Sequence, residues 1–333
     1  MKRITLLLAS TLWLSGLRVD AQAPAVPTPD ELAQALGFTK AEIVLINGGE
    51  IVTKALPSES DQELAGVVAV FFSRPVSEVV DSAMQGKLLE TDKKIRAFRS
   101  WTADESAEKA FADLRLSAAD TDEAALFAKA APGSKLNLSK MDIQRFKGVN
   151  SDPATVSLVL REMLRARYES YRKNGLAGIA PYARGWFKES SPAKELTLAI
   201  QETMKAALRQ DYYQALLQYP ASPLPGMEHR FYWFNRTVED RPTFILAHRA
   251  DLRLADAALV TEEQFYVGHS YNCNFIAGGC LPVRGGTLVF YRNRTFTDQV
   301  TGWMGGLKQE VGRSEMLADI AANLRRVREQ LKK

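Results

Sequence analysis

Cysteine and histidine are scarce in this chain of 333 residues, which contains two cysteines and three histidines. Two thiols are too few for a disulfide-built scaffold or for a thiolate metal cluster. The histidines, at 229, 248 and 269, show neither a His-x-His nor a His-Glu-x-x-His spacing. We therefore expect no bound metal, and we assign no cofactor.

An excess of charge of one sign is also lacking, because 43 Lys and Arg residues oppose 39 Asp and Glu residues. The formal net charge is +4; loss of the N-terminal leader described below removes three positive charges and one negative charge and leaves +2. No run of basic residues is longer than Arg325-Arg326. Nucleic-acid binding, which requires many phosphate-neutralising side chains, is therefore not expected.

The clearest hydrophobic run is short and lies at the N-terminus, where a basic pair precedes an apolar stretch over residues 4–17. As a helix this stretch would reach about 21 Å, less than the ~30 Å hydrocarbon core of a membrane. A basic start, a short apolar segment and small residues after it are typical of a secretory signal peptide. We predict cleavage after Ala21, because Pro24 would hinder cleavage after Ala23. The mature chain is then periplasmic or secreted, without an integral membrane segment.

The remaining chain, 46% hydrophobic, divides into four segments. Residues 22–49 are predicted to hold a tether and two short helices, each opened by a capping box. Residues 50–101 contain Val-, Ile- and Phe-rich extended runs around one helix, and residues 102–227 have mostly helical patterns. Residues 228–333 return to strands, including one predicted over 263–276, and end in a helix.

The closing helix has apolar positions spaced by three and four, which predicts one buried stripe. The stripe comprises Leu317, Ile320, Leu324, Val327 and Leu331, while Arg325, Arg326, Arg328 and Lys332 are predicted to face water. A stripe of this kind needs an apolar partner, and one face of a sheet would supply it.

Paired strands, a helix opened by Pro75, further antiparallel strands and a long closing helix follow one another in an order that resembles the START-like helix-grip superfamily. The resemblance covers about residues 50–101 and 228–332 and rests on element order alone. It implies an α+β fold in which a curved antiparallel sheet grips the C-terminal helix, with an apolar ligand cavity between them. The helical insertion at 102–227 would then be a lid or a separate subdomain. As a whole the chain is also similar to exported bacterial proteins, which implies a location and no chemistry.

Two histidines are candidates for a shared polar spot. Alternation along extended strands places His248 and His269 each on an apolar face. On adjacent strands they could form a polar spot in a cavity, where burial would tune a general base. The alternative is a pair of hydrogen-bonded structural histidines. Ser270 directly follows His269 and should point to the opposite face, and no Gly-x-Ser-x-Gly motif supports a serine hydrolase.

Aromatic side chains concentrate in the C-terminal strands. In a sheet most of them form core, and the functional alternative is a pocket for an apolar or ring-bearing ligand. The candidate ligand-binding residues are His248, His269, Tyr271, Trp233 and Tyr291.

Cys273 and Cys280 leave two possibilities open. Their odd separation puts them on opposite faces of one continuous strand, which forbids a disulfide. A tight turn or bulge at Gly278-Gly279 would instead let them meet, and an oxidising compartment would favour the bond.

Three functions are compatible with these patterns. The first is an exported binding protein for an apolar small molecule or lipid, favoured by the leader, the aromatic strands and the lack of a catalytic motif. The second is an exported enzyme in which His248 or His269 works with Tyr271 or Tyr291 in acid–base chemistry. The third is an envelope protein-interaction module that docks through its helical segment. No catalytic residue is assigned, and the oligomeric state stays open.

Overall fold

The computed structural model describes residues 28–84, 92–133, 135–185, 187–205, 207, 209–301 and 305–331. The predicted leader and its cleavage site lie outside these residues, so the signal peptide stays a prediction. Within the described part of the chain, no helix combines the length and the apolarity needed to cross a membrane.

Local sequence signals account for the first elements of the chain. Thr28 with Glu31, and Thr39 with Glu42, form the two predicted capping boxes, in which hydroxyl and carboxylate each accept from a backbone N–H. The elements in this part are α1 (Pro29–Ala35), α2 (Lys40–Asn47), β1 (Val52–Ala55), β2 (Glu63–Phe72), α3 (Val76–Met84) and β3 (Ile95–Thr102).

The segment that follows β3 is helical, as its apolar spacing predicts. Its longest helix is capped by the Asp152 side chain and has Pro153 in its first turn. The elements are α4 (Ala107–Phe111), α5 (Thr121–Ala128), α6 (Lys140–Phe146), α7 (Pro153–Asn174), a 3-10 turn (Gly175–Gly178), β4 (Tyr182–Ala183), β5 (Glu189–Ser190), α8 (Pro192–Lys205) and α9 (Gln210–Leu217).

The C-terminal third consists of long strands and the closing helix. They are β6 (Met227–Val238), β7 (Arg241–Arg253), β8 (Ala258–Val267), β9 (Cys273–Val283), β10 (Gly286–Phe296), a 3-10 turn (Asp298–Val300) and α10 (Gly305–Leu331). The predicted turn between the last two strands is confirmed, and Gly285 has the positive φ of 92° that such a turn needs.

The single strand predicted over 263–276 is wrong, because a loop separates β8 from β9. Ser270 in this loop has a φ of 72°, which ends the extended backbone. Asn137 of the helical segment donates to the carbonyls of Val267 and Tyr271 at 2.9 and 2.7 Å. The loop is therefore held by a residue distant in sequence, which strand patterning does not register.

Eight strands of the described chain form one antiparallel sheet in the order β1-β2-β10-β9-β8-β7-β6-β3. The early strand β2 pairs with the last strand β10, and β3 pairs with β6 at the other edge. Segments on both sides of the helical insertion therefore build the same sheet.

The sheet curves around α10. Leu317 packs so closely on β2 that a Cβ atom added to Gly66 would lie 2.5 Å from its methyl group. Two residues further, Asp319 accepts from Lys94 at 2.7 Å, immediately before β3. β2 and β3 are six strand spacings apart, about 29 Å in a flat sheet. Leu317 and Asp319 are only two residues apart on α10, so they can reach β2 and the start of β3 together only if the sheet is strongly bent. We call the face toward α10 the concave face and the other the convex face.

The predicted fold class, an α+β fold with a curved antiparallel sheet gripping the C-terminal helix, is thereby confirmed. The helical segment does not lie on the α10 side. It packs on the convex face and shares one core with it, including Phe111, Leu160, Tyr168, Phe231 and Leu246. Helices α1 and α2 cover the convex face over β2 and β10.

The closing helix buries its predicted stripe where the structure describes it. Leu317 and Leu324 are 7% and 3% exposed and pack with Val68 and Val70 of β2, and Ile320 packs beside them. The side chains of Val327 and Leu331 lie outside the described residues.

The polar side of α10 is only partly as predicted. Arg325 is exposed, but Arg326 is partly buried, and Arg328 donates to the Gly49 carbonyl at 2.9 Å. The expectation that Arg328 faces water is wrong, because the end of α10 lies against the turn after α2. The same expectation for Arg326 is wrong because its side chain is partly buried and donates to Asn323 of the same helix. Lys332 lies outside the described residues.

The two cysteines are free and buried, and they lie on opposite faces of β9. Gly278 and Gly279 pair regularly with β10 and make no turn. The continuous-strand alternative therefore holds, and no disulfide forms between Cys273 and Cys280.

Candidate functional site

The five candidate residues from the sequence lie in three places. Tyr271 and Tyr291 are on the concave side of the sheet, and His248 and Trp233 are in the convex core. His269 lies in the loop between β8 and β9. His248 and His269 therefore do not share a polar spot, and of the two alternatives the one that brings them together in a cavity is wrong.

His269 holds its loop in place. Its Nε2 atom lies 2.6 Å from Thr243 Oγ1, and its Nδ1 atom lies 2.6 Å from Ser270 Oγ. The prediction that Ser270 points away from this imidazole is wrong, because the chain is not extended there. Ser270 also donates to Glu239 Oε2 at 2.8 Å. Burial, together with the charge of Arg241, lowers the pKa of His269 to about 4, so the imidazole is neutral at pH 7.

Trp233 joins the sheet to the helical segment. Its indole N–H donates to the Ala110 carbonyl of α4 at 2.9 Å, and the side chain is buried in the convex core. This contact gives Trp233 a structural role.

Tyr291 belongs to β10, and its ring lies over Gly278 of the neighbouring strand β9 on the concave face. A Cβ atom on Gly278, its cross-strand neighbour, would lie 2.9 Å from the ring, so the absence of a side chain there makes room for the tyrosine. Burial raises the pKa of Tyr291 to about 12, which keeps its hydroxyl protonated at neutral pH. The side chain therefore presents a ring and a neutral hydroxyl to the concave side.

A short hydrogen-bond chain runs beside it. Tyr271 Oη donates to Gln264 Oε1 at 2.7 Å, and Gln264 Nε2 donates to Glu262 Oε1 at 2.9 Å. Burial raises the pKa of Tyr271, so its hydroxyl stays a donor. The chain ends at the Glu262 carboxylate, which is partly accessible.

Further polar groups complete this cluster. Arg249, which faces Glu262 across the β7–β8 register, donates to Asp251 Oδ1 at 2.8 Å. On β10, Asn293 is 3% exposed, and its Oδ1 atom is buried without a hydrogen-bond partner among the described residues. A buried acceptor of this kind is a place where a ligand donor would be stabilising.

The two faces of the middle strands differ in accessibility. On the concave face, five neighbouring side chains are partly accessible: Arg249, Val260, Glu262, Ile276 and Tyr291. On the convex face of the same strands, His248, Thr261, Glu263 and Ala277 are at most 1% exposed. We call the five partly accessible side chains, with Tyr271 and Asn293, the concave site.

A second constellation crosses the convex core. His229 Nδ1 lies 2.8 Å from His248 Nε2, His248 Nδ1 lies 2.7 Å from Tyr171 Oη, and Tyr171 Oη lies 2.9 Å from Glu263 Oε2. His229 is partly exposed, whereas the other three side chains are each 1% exposed. We call these four residues the imidazole chain, which connects an accessible imidazole to a buried carboxyl group.

Burial sets the protonation of this chain. It raises the pKa of Glu263 to about 8, against the opposing effect of the hydrogen bond from Tyr171. Burial and the neighbouring His229 hold the pKa of His248 well below its usual value, and burial also lowers the pKa of His229. At pH 7 both imidazoles are therefore neutral, and Glu263 is largely protonated.

The imidazole chain supports two arrangements of its hydrogen-bonding protons, because a neutral imidazole has one donor and one acceptor nitrogen. When Glu263 is ionised, His229 donates to His248, His248 to Tyr171, and Tyr171 to the carboxylate. When Glu263 is protonated, every bond runs the other way. A proton that arrives at His229 Nε2 can therefore reach Glu263 by shifts along the existing hydrogen bonds.

The pairing of His229 with His248 was not predicted from the sequence. A two-residue turn at Glu239 and Asp240, both with positive φ, sets the β6–β7 register that places them diagonally. Such turns favour Asn-Gly or Asp-Gly, so Glu-Asp is a weak signal. Alternation from Phe231 back to His229 was the available indication that this histidine shares the convex face.

No family model, curated protein or solved structure matches the chain. Within the described ranges, no group of three or more His, Cys, Asp or Glu side chains is placed to hold a metal ion.

Proposed function

We propose that this chain is an exported binding protein for an apolar small molecule or lipid that carries a polar group, held at the concave site beneath α10. The observation that carries the proposal is the difference between the two faces of the same strands. Five neighbouring side chains on the concave face are partly accessible, whereas the side chains of His248, Thr261, Glu263 and Ala277 on the convex face are buried. The grip of the sheet on α10 also supports kinship with the START-like helix-grip superfamily.

The site favours a ligand with a ring or chain and at least one hydrogen-bond donor. Val260, Ile276 and the ring of Tyr291 provide apolar surface, as small-molecule sites generally do. Glu262 and the unpartnered Oδ1 of Asn293 provide acceptors. Export remains the part of the proposal that rests on the leader sequence alone.

The test is mass spectrometry of an organic extract of the purified full chain, together with binding of the uncharged fluorescent probe N-phenyl-1-naphthylamine. Ile276→Trp should fill the concave site and weaken probe binding at least tenfold. Leu254→Trp, at an exposed position after β7, should leave it unchanged. An empty extract combined with equal probe binding by both variants would contradict the proposal.

The imidazole chain favours a second candidate, an enzyme that uses His229 as an acid–base group next to Tyr219. The two rings lie 5.2 Å apart at the accessible end of the chain. Hydrolysis of p-nitrophenyl acetate tests this role, with His229→Gln and Tyr171→Phe both expected to slow it. Unchanged rates in both variants would count against catalysis. His269 lies apart from the imidazole chain, bonded to Thr243 and Ser270, and takes no part in this candidate enzyme.

The helical segment offers little support for a docking module. Within residues 153–219 of the described chain, Leu158 and Phe187 are the exposed large apolar side chains. Two such residues fall short of the contiguous apolar patch, roughly several hundred Å², that marks an interaction surface.

A further inference from the structure

A cleft lies along the outer edge of the sheet, built from residues that belong to neither the concave site nor the imidazole chain. Its volume is about 520 Å³, and it separates β3 from the loop that follows α4. Trp233 and Asn235 of β6 form part of its lining, and Arg96, Arg99 and Arg115 are placed around it. We call it the edge cleft.

The arginines of the edge cleft are unequally paired. Arg96 is bound by Asp120 at 2.8 Å, and Arg99 is bound by Glu105 at 2.7 Å. Arg115 is exposed and has no acidic partner in the part of the chain that the structure describes. The cleft therefore has one unpaired guanidinium group.

The Arg99 guanidinium group can also bind a ligand. Arg99 Nη1 lies 3.5 Å from Asp113 Oδ2, and the Asp113 side chain is 77% exposed. A long contact to an exposed carboxylate contributes little to stability. A ligand carboxylate could therefore take the place of Asp113 on Arg99 while also pairing with Arg115, and arginine is well suited to bind it through two parallel hydrogen bonds.

Asn235 supplies an unfilled acceptor in the lining. Its side chain is 4% exposed, and its Oδ1 atom has no hydrogen-bond partner among the described residues. Its neighbour on β3 is Ala97, whose methyl group can offer no hydrogen bond. A buried carbonyl oxygen without a donor is unfavourable, so a ligand hydroxyl in the cleft would satisfy it.

The strand β3, which forms one wall of the cleft, is the last strand of the sheet. Alternate backbone N–H groups of an edge strand point away from the sheet. Arginine side chains and the buried amide of Asn235 thus lie along one cleft at this edge.

We propose that the edge cleft binds a small organic carboxylate that carries a neighbouring hydroxyl group. Arg115 and the outer edge of Arg99 hold the carboxylate, and Asn235 Oδ1 accepts from the hydroxyl. A single negative charge fits best, because Asp113, Asp120 and Glu105 nearby would repel a dianion such as phosphate.

Isothermal titration of the full chain with sodium D-gluconate, sodium hexanoate and inorganic phosphate tests the proposal. Gluconate should bind at least tenfold more tightly than hexanoate, which has no hydroxyl, and more tightly than phosphate. Arg115→Ala should weaken gluconate binding at least tenfold. Arg284→Ala, at the exposed turn between β9 and β10, is the matched control and should leave it unchanged.

Asn235→Ala should remove the preference for gluconate over hexanoate and leave the affinity for hexanoate. Because Arg115 is exposed, its variant decides the proposal even if the buried Asn235 variant fails to fold. No gluconate binding, tighter phosphate binding, or equal affinity in the Arg115 and Arg284 variants would overturn it. Binding of N-phenyl-1-naphthylamine should be the same in Arg115→Ala and wild type, which separates this result from the concave site.

Discussion

Glu262 and Glu263 are adjacent in sequence and lie on opposite faces of β8. Glu263 is 1% exposed in the convex core and accepts from Tyr171 at 2.9 Å. Glu262 is partly accessible on the concave face and accepts from Gln264 at 2.9 Å. Two carboxylates of the same type therefore have opposite environments, and they form a matched pair for experiment.

Glu263 should make the stability of the protein depend on pH. Its pKa is near 4.5 in the unfolded chain and about 8 in the folded chain. Between these values the folded state keeps a proton that the unfolded state has lost. The contribution of Glu263 to the free energy of unfolding therefore falls as pH rises from about 4.5 to 8, by at most about 5 kcal/mol, and levels off above pH 8.

Urea denaturation of Glu263→Gln at pH 5, 6.5 and 8 checks this prediction. The variant cannot ionise at this position and should lose much less stability than wild type over the same range. Glu262→Gln should keep the wild-type dependence. If the free energy of unfolding changed with pH in the same way for Glu263→Gln and wild type, Glu263 would not control the pH dependence of stability.

Tyr171→Phe should destabilise the fold by about 1–3 kcal/mol, because it leaves both His248 Nδ1 and Glu263 Oε2 without their partner in the core. Tyr213 is also buried, on α9, and its hydroxyl has no hydrogen-bond partner among the described residues. Tyr213→Phe should therefore change stability by less than about 0.5 kcal/mol. Equal denaturation midpoints for the two variants would argue against the imidazole chain.

Leu324→Ala should cost about 2–5 kcal/mol through lost burial and a residual cavity, since Leu324 is 3% exposed between α10 and the concave face. Arg325 is the next residue and is exposed, so the stability of Arg325→Ala should stay within about 0.5 kcal/mol of wild type. Thermal unfolding measures both. If Leu324→Ala had the same melting temperature as wild type, α10 would not pack against the sheet as described.

Cys273 and Cys280 should resist alkylation in the folded protein. Burial raises the pKa of Cys280 to about 12, and burial together with Glu195 holds the pKa of Cys273 well above its usual value. At pH 8 the thiolate fraction of Cys280 is about a thousandfold below that of an ordinary cysteine. Mass spectrometry after iodoacetamide treatment should show two labelled thiols in urea and none in buffer. Oxidised, unlabelled cysteines in urea would instead indicate a disulfide.

Local signals in the sequence determined many of the elements. The capping boxes at Thr28 and Thr39 and the start of α7 at Asp152 depend on contacts between residues three or four positions apart. The buried positions Leu317 and Leu324 follow from helical spacing in the same way. The order of elements also indicated a sheet that grips the closing helix, because strands and an amphipathic helix with one apolar face each need the other.

Tertiary structure alone decided which candidate residues meet. The β8–β9 loop depends on Asn137, more than 100 residues away, and this loop removes His269 from the strand that was to place it near His248. The β6–β7 register, the burial of the convex face by the helical segment and the curvature of the sheet determine the imidazole chain and the concave site. Alternation assigns a side chain to one of two faces, but which face is buried depends on what packs against it, and that packing involves segments far apart in the chain.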